Sequence, residues 1–457
     1  MNLSFDGRIV GPMQLFDQWQ RTRQARGTAL AVRCLRADGS LPEDWTFDDL
    51  QRHLDARPVV AAGEGLPVTA GQGVPELLLT VLTAWRDGAV LMPLESTDGV
   101  IERLGHLPPD TVHIKTTSGS TGRPQRIAFT GAQLAADARA ILATMALDLG
   151  APNLVAISAT HSYGFSNLVL PLLLHGMPLW VPPSPLPAAV RAAFDLARQE
   201  QLRLTLPAVP ALWRSWHQAG VLAEAPVATA ISAGAPMPLE LECQIFEQTG
   251  LKVHNFYGSS ECGGIAYDDS PQPRTDAHLV GRAMAGVTLD LDPDGCLRVS
   301  GAAVAQGYLD AGPAVAQRLG AGSFLTTDLA DLSGGEVRLI GRQTECINVA
   351  GRKISPAEIE HALLRLPLVQ HCLVFGVPSH DPARVEEIVA CVNVDPRVPV
   401  EELRRGLAAH LPTWQQPRHW WMRPDLVPDA RGKLPRSRWR LQFLAEEAEA
   451  RGLMGRA

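Results

Sequence analysis

The chain lacks paired cysteines at redox or metal spacing: its seven cysteines are an odd number, and no C-x-x-C occurs. That excludes a disulfide framework and a zinc ribbon. The zinc-protease pattern H-E-x-x-H is absent, and so is the Walker loop G-x-x-x-x-G-K-[ST]. Gly432-Lys433 has neither the upstream glycine nor the following hydroxyl residue. There is no long apolar run either. The most apolar window, 168–181, is broken by Pro171 and Pro178 and reads as buried core rather than a membrane span. Residues 1–11 carry no basic stretch leading into an apolar segment, so no signal peptide is expected and a reducing, cytoplasmic setting follows. Excess positive charge is also lacking: the net charge of −7 argues against nucleic acid as a partner.

What charge there is falls unevenly. From Gly341 onward 17 Lys+Arg face 14 Asp+Glu, a net of +3, which leaves −10 on the first 340 residues. A mildly basic C-terminal part suits an anionic partner (a nucleotide, coenzyme A or an acidic carrier protein), or is plain solvated surface. At 46% hydrophobic and 19% charged the composition is that of an ordinary globular protein. A length of 457 residues allows two or more domains around sizeable cores.

Short apolar runs alternate with amphipathic stretches, the pattern of an α/β protein. Residues 58–62 read as a buried strand and 74–85 as a helix with Leu77, Leu78, Val81 and Leu82 on its apolar face. With 89–93 as the next strand, these make a βαβ unit. Residues 131–146 read as helix, 154–158 as strand and 168–174 as a buried helix or strand. Strand 228–232 ends in the turn Ala233-Gly234-Ala235-Pro236, helix 237–249 is closed by Gly250, and strand 252–255 runs into Tyr257-Gly258. Around 290–308 shorter alternating strands surround the turn signal Asp292-Pro293-Asp294-Gly295, as in a small antiparallel sheet. Beyond Gly341-Arg342 comes a compact α+β stretch. It has a helix over 355–365 with Ser355 as cap and Pro356 in the first turn, strands 370–377 and 387–394, and a helix over 400–410. The expected architecture is α/β: a large N-terminal domain, 1–341, of βα subdomains plus a small antiparallel sheet, then a small α+β domain, 342–457.

Four segments have residues suited to chemistry. Thr116-Thr117-Ser118-Gly119-Ser120-Thr121-Gly122 follows residues 112–115, which read as a strand; small hydroxyl residues and glycines let backbone amides and hydroxyls approach an oxyanion. Its bland alternative is a flexible surface loop. Asn255-Phe256-Tyr257-Gly258-Ser259-Ser260-Glu261 joins an aromatic able to stack on a base to a carboxylate able to hold Mg²⁺, or is merely a strand end with a buried tyrosine. Thr326-Thr327-Asp328, followed by Gly341-Arg342, offers an acceptor for ribose hydroxyls and a grip on phosphate. Arg431-Gly432-Lys433 is a polar loop whose lysine, taken alone, is simply solvated.

The order and spacing of these segments resemble the adenylate-forming superfamily of acyl- and aryl-CoA synthetases, peptide-synthetase adenylation domains and luciferases. The family signature T-S-G-[ST]-T-G-x-P-K-G is matched by residues 117–126, Y-G-x-[ST]-E by 257–261, [ST]-G-D by Thr327-Asp328, G-R-x-x-x-x-I-K-x-x-G by 341–351, and the trailing L-P-x-T-x-x-G-K by 426–433. Weaker echoes include 45–50, 88–93, 232–236, 281–286 and Gly307-Tyr308, so the resemblance covers about 45–440. It implies that Thr117, Ser118, Gly119, Ser120, Thr121 and Gly122 cradle the ATP phosphates and that Glu261 holds Mg²⁺. Adenine would lie against Tyr257 among Ala233, Gly234, Ala235, Asn255, Phe256, Gly258 and Ser259. Asp328 would hold the ribose with Arg342, and Lys433 would bridge the acid and the α-phosphate; Lys433, Glu261 and Thr121 are the catalytic candidates. A carboxylate attacking a phosphate brings two anions together, so a cation there is chemically required.

The family works in two steps, adenylation and then thiol attack, with the C-terminal domain rotating between them. The hinge would fall near Thr344, and Gly351, Arg352 and Lys353 would face the site in the thiol step. Two departures stand out: Gln125-Arg126 where the family has Lys-Gly, with Arg126 positioned to supply the missing charge, and Asn348 in place of a lysine.

The acid would meet His161, Ser162, Tyr163, Ser232, Gly258 and Gly263. Amino-acid-activating members place an aspartate near Ser162, so a free α-amino acid is disfavoured, and the segment resembles that of aryl-acid ligases. An aromatic acid is expected, with Ser162 bonding a ring hydroxyl where one is present. The alternatives are a medium- or long-chain fatty acid, a non-catalytic nucleotide-binding relative and a luciferase-type oxidoreductase. The thiol would be coenzyme A or the 4'-phosphopantetheine of a carrier protein. Nothing in the sequence fixes an oligomeric state.

Overall fold

The computed structural model describes residues 12–94, 106–117, 125–349, 352–379, 385–428 and 434–454. They form two compact units. The first holds the described residues up to Asp290 together with Arg298–Thr326 and Ser333–Val337. The second holds Leu291–Leu297, Thr327–Leu332 and the described residues from Arg338 onward.

In the first unit, helix Val74–Asp87 starts with proline in its first turn and stops at Gly88, whose φ of +70° a side chain would strain. Leu77 through Trp85 are all buried, so the helix is a core element rather than a surface one. It links two parallel strands, Gly65–Thr69 and Val90–Leu94, in register Gly65 opposite Val90. The expected strand at 58–62 is instead a loop with Val59 81% exposed. Pro58 has no N–H to give a ladder, and the Val60 amide bonds the Asp87 carboxylate (3.0 Å). These two strands belong to a five-stranded sheet ordered Gly307–Tyr308, Gln125–Thr130, Thr111–Thr117, Val90–Leu94, Gly65–Thr69.

A larger sheet runs through the unit's other half. Strand Val227–Ser232 lies parallel between Leu204–Ala208 and Val253–Ser259, with Ser232 opposite both Ala208 and Asn255. Helices Pro187–Gln199, Pro210–Gln218 and Leu239–Thr249 cover it through Val190, Phe194, Trp213, Trp216, Leu241 and Ile245, all buried. Each such side chain contributes about 1.5–3 kcal/mol by leaving water. The stretch at 168–174 resolves as helix: a π-helical turn, Phe165–Val169, runs into Leu170–His175 and stops at Gly176 (φ +79°). The strand expected at 154–158 shortens to Asn153–Leu154.

A buried charge network fixes the first residues of strand Val253–Ser259. Lys252 pairs with Glu242 (2.5 Å) and Asp268 (2.6 Å), and Arg274 pairs with the other oxygen of Glu242 (2.7 Å). Arg274 also donates to the carbonyls of Met237 and Leu279 (2.8 and 2.7 Å). Every charge there has a partner, which is the condition for burying it.

In the second unit, strand His371–Pro378 pairs antiparallel with Glu386–Asn393, which runs parallel to His419–Met422. Alternation sorts the side chains into two layers. Cys372 and Val374 face Ile359, Leu363, Leu403 and Leu407 of helices Pro356–Leu364 and Val400–Ala408. Leu373, Phe375 and Val377 face Trp439 and Phe443 of helix Arg436–Met454. Ser355 precedes its helix as expected but makes no side-chain cap; its hydroxyl donates to the Ile340 carbonyl (2.9 Å).

Candidate active site

The hydroxyl-rich segment is flanked in sequence by two paired strands. Thr111–Thr117 and Gln125–Thr130 pair antiparallel up to Thr116 opposite Arg126 and Thr117 opposite Gln125. Ser118, Gly119, Ser120, Thr121 and Gly122 lie outside the described residues, as do Gly351 and Lys433 and the side chains of Thr117, Thr344 and Lys353. Arg126, expected to supply the loop's missing lysine charge, is instead bound to Asp310: both Nε and Nη2 donate to its carboxylate. The Arg126 hydrogen bonds hold the Asp310 carboxyl below its ordinary range.

Open parallel sheets bind ligands in the crevice past their carboxyl ends. Ser232, the turn Ala233-Gly234-Ala235 and the run Asn255, Phe256, Tyr257, Gly258 and Ser259 all stand there, on adjacent parallel strands. Gly234 takes φ +84°, which lets the turn close beside the strand end. Glu261 comes two residues after Ser259 and is held by three bonds. Its amide donates to the Ser259 hydroxyl (3.2 Å), its carbonyl accepts from the Ala305 amide (2.9 Å), and its Oε1 accepts from the Tyr308 hydroxyl (2.9 Å). Burial, reinforced by the Glu261 carboxylate, pushes the Tyr308 phenol up, so it stays a donor. Tyr308 belongs to the two-residue strand that pairs with Gln125–Thr130 (Tyr308 opposite Ile127), so one short strand serves both the hydroxyl-rich loop and Glu261. The sequence carried this tyrosine as a motif echo without a role; only the pairing reveals its partner.

The acid-facing segment stands against the same region. The Ser162 hydroxyl donates to Ser260 Oγ (3.0 Å). Tyr163 packs on Phe256 with ring centroids 5.9 Å apart, and its hydroxyl reaches the Ile231 carbonyl (3.5 Å). A ring nitrogen of His161 accepts from the Tyr163 amide (3.4 Å), setting the start of the helical turn Ser162–Gly164. Gly164 is required: a Cβ there would lie 2.0 Å from the Ser158 carbonyl oxygen. Likewise a Cβ on Gly258 would lie 2.6 Å from the Gly263 carbonyl oxygen, and one on Gly263 (φ +70°) 2.2 Å from Asp137. Asp137 ties the two segments together, accepting from the Ser166 hydroxyl (2.6 Å) and the Gly264 amide (3.1 Å). Nothing in the sequence singled out Asp137, because it sits in an alanine-rich helix, Gly131–Thr144, far from both motifs.

In the second unit Asp328 and Arg342 face each other across antiparallel strands, and Arg342 Nε donates to Asp328 (2.8 Å). Glu345 and Glu360 both pair with the half-buried Arg436, fixing the residues next to Thr344 (Glu360 at 2.7 Å). Arg352 lies over the Trp414 ring, 5.0 Å from its centroid. Among the described residues no group of three or more His, Cys, Asp or Glu is placed to hold a metal. No described helix is long and apolar enough to cross a membrane.

The family described as AMP-binding enzyme matches residues 105–309, and the AMP-binding enzyme C-terminal domain matches 358–433. A feruloyl-CoA synthase from an Amycolatopsis species is 27% identical over 397 residues, covering 81% of this chain and 78% of that protein. A probable 2-succinylbenzoate–CoA ligase from Mycobacterium tuberculosis is 28% identical over 376 residues, covering 77% and 90%. The ATP-bound structure of MatB from Rhodopseudomonas palustris superposes with a TM-score of 0.81 at 19% identity, over 95% of this chain and 99% of that one. The chain belongs to the adenylate-forming superfamily of AMP-binding enzymes. Within that class it is an acid–thiol ligase, which activates a carboxylic acid with ATP as the acyl-adenylate.

Proposed function

We propose that this ligase activates an aromatic carboxylic acid and passes the acyl group to a phosphopantetheine thiol, that of coenzyme A or of a carrier protein. The acid carboxylate attacks the α-phosphate of ATP and pyrophosphate leaves. The thiol sulfur then attacks the acyl carbonyl and AMP leaves. The observation that carries the aromatic reading is the Tyr163–Phe256 ring pair, which gives the acid segment an aromatic wall where stacked rings gain about 0.5–1.5 kcal/mol beyond burial. The absence of a carboxylate at His161, Ser162 and Tyr163 removes the partner an α-amine needs. The feruloyl-CoA synthase and 2-succinylbenzoate ligase similarities lend support. A similarity to an L-proline–carrier protein ligase of Streptomyces coelicolor keeps the carrier as an acceptor to test.

Thr117, Ser118, Gly119, Ser120, Thr121 and Gly122 are assigned to the phosphates. Ala233, Gly234, Ala235, Asn255, Phe256, Tyr257, Gly258 and Ser259 are assigned to adenine, and Asp328 with Arg342 to the ribose. Lys433 stabilises charge as the phosphoryl oxygens develop it. Mg²⁺ binds through few carboxylates plus substrate phosphates, a mode that the single carboxylate of Glu261 fits. When bound, the ion neutralises phosphate charge. Residues 342–457 act as the moving lid about Thr344, with Gly351, Arg352 and Lys353 on the thiol side. Pyrophosphate exchange across benzoates, cinnamates and fatty acids tests the acid, and activity on aliphatic acids alone refutes it. Competing coenzyme A against carrier proteins on preformed adenylate decides the acceptor.

A further inference from the structure

The chain has only four lysines, Lys115, Lys252, Lys353 and Lys433. Lys252 neutralises two buried carboxylates. Lys115 does not fit that pattern. It is 4% exposed, and among the described residues no carboxylate lies within ion-pair distance of it. Its ammonium sits over the Phe129 ring, 4.5 Å from the centroid. That face satisfies one side of a group with three donors. Two residues earlier, on the same face of strand Thr111–Thr117, His113 is fully buried. Neither of its ring nitrogens has a hydrogen-bond partner among the described residues. Buried polar groups are almost always partnered, so His113 calls for a further polar group beside it, next to the Lys115 ammonium.

The surroundings indicate where that group comes from. The His113 ring packs against Phe165 at 4.6 Å, three residues beyond Ser162 on the same helical stretch. Lys115 feels the charges of Asp137, Cys262 and Glu261, which offset part of the burial that depresses its proton affinity. Asp137 is the residue that joins Ser166 to Gly264, and it abuts Gly263. Both segments assigned to the acid, 161–163 and 258–263, therefore lead to the ground held by His113, Lys115 and Asp137. Asp137 is already engaged by two donors. The unpaired ring nitrogens of His113, beside the Lys115 ammonium over Phe129, suit an oxygen acceptor. Ser162, the expected reader of a ring hydroxyl, donates to Ser260 and keeps its oxygen free to accept.

We propose that Lys115 and His113 form the far end of the acid subsite and bind an oxygen substituent on the ring, a phenolic oxygen or a second carboxylate. The oxygen accepts from the Lys115 ammonium and shares a hydrogen bond with a His113 ring nitrogen. This rests on the aromatic reading above. An unsubstituted ring or an alkyl chain leaves the His113 nitrogens unpaired and the Lys115 ammonium with the Phe129 face.

The test is ATP–pyrophosphate exchange by the full chain on benzoate, the hydroxybenzoates, a benzenedicarboxylate and a straight-chain fatty acid. A charge-assisted hydrogen bond predicts that at least one oxygen-substituted acid exceeds benzoate in kcat/KM by about 10- to 100-fold. Whether the hydroxyl or the carboxylate series gains identifies the oxygen. In Lys115→Met the ratio of that acid to benzoate collapses toward one. A flat wild-type series across all aryl acids overturns the assignment without need of any variant, and so does a folded Lys115→Met that keeps the ratio. His113→Leu supplies a second variant if Lys115→Met does not fold, and an unchanged ratio there removes His113 from the subsite. Exchange on fatty acids with none on any aryl acid is a different result: it refutes the aromatic reading itself.

Discussion

Replacing Tyr308 with phenylalanine isolates one hydrogen bond. The ring stays, and only the hydroxyl that donates to Glu261 Oε1 at 2.9 Å is lost. A bond to a charged acceptor contributes about 1.5–3 kcal/mol. Glu261 is half-buried, so water can replace part of that donor, and the lower end applies. About 1.4 kcal/mol corresponds to roughly tenfold in an equilibrium or a rate. The expected outcome for Tyr308→Phe is a half-saturating Mg²⁺ concentration about tenfold higher in acid-dependent pyrophosphate exchange, at saturating ATP and acid. The main-chain bonds at Ala305 and Ser259 persist, so the melting temperature should move little. Because the phenol is held protonated by burial and by Glu261, the effect should not vary across neutral pH. A folded variant with unchanged Mg²⁺ dependence and unchanged rate would show that Tyr308 does not position Glu261, and would weaken the assignment of Glu261 to the ion.

Three further outcomes are expected. Glu242→Ala takes from buried Arg274 its carboxylate and leaves Lys252 with Asp268 alone, and should cost about 3–5 kcal/mol in urea unfolding; a loss below about 1 kcal/mol would mean that Arg274 finds another partner easily. Lys433→Ala should nearly abolish acid-dependent pyrophosphate exchange while a direct ATP titration stays close to wild type, and near-normal exchange would refute its role. Cys262, Cys296, Cys372 and Cys391 are buried, and burial pushes the Cys262 and Cys391 thiols up to about 12. Native protein at neutral pH should therefore be alkylated at Cys34, Cys243 and Cys346 at most, as read by mass spectrometry; modification of Cys262 before unfolding would contradict the packing around Glu261.

Much of this was legible in the sequence because the signals are local. Val74–Asp87 with its proline start and Gly88 stop, the turn after Ser232, and helix Leu239–Thr249 ending at Gly250 all declare themselves by period and punctuation. The misplaced strand at 58–62 shows the limit. Five apolar or proline residues mimic a buried strand, yet strand identity depends on a partner, and the partner of Val90–Leu94 is Gly65–Thr69. The polar partners of the site were hidden for the same reason. Asp310 sits 184 residues from Arg126 and Tyr308 47 from Glu261, so no window of sequence sees either pair. Ser355 was placed correctly at its helix start, but its hydroxyl goes to Ile340 across a tertiary gap rather than to the helix.

The stretch around Gly307–Tyr308 has a consequence for protein engineering. The Gln306 and Leu309 amides donate to the Ala128 and Arg126 carbonyls, the Ala305 amide to Glu261, and Asp310 clamps the Arg126 side chain. A chimera that imported only the segment through position 126 from a relative would replace Gln125-Arg126 with Lys-Gly and strip Asp310 of the arginine that its carboxylate holds. The exchangeable cassette is discontinuous, residues 111–130 together with 305–310, and swaps that respect both pieces are the ones expected to remain active.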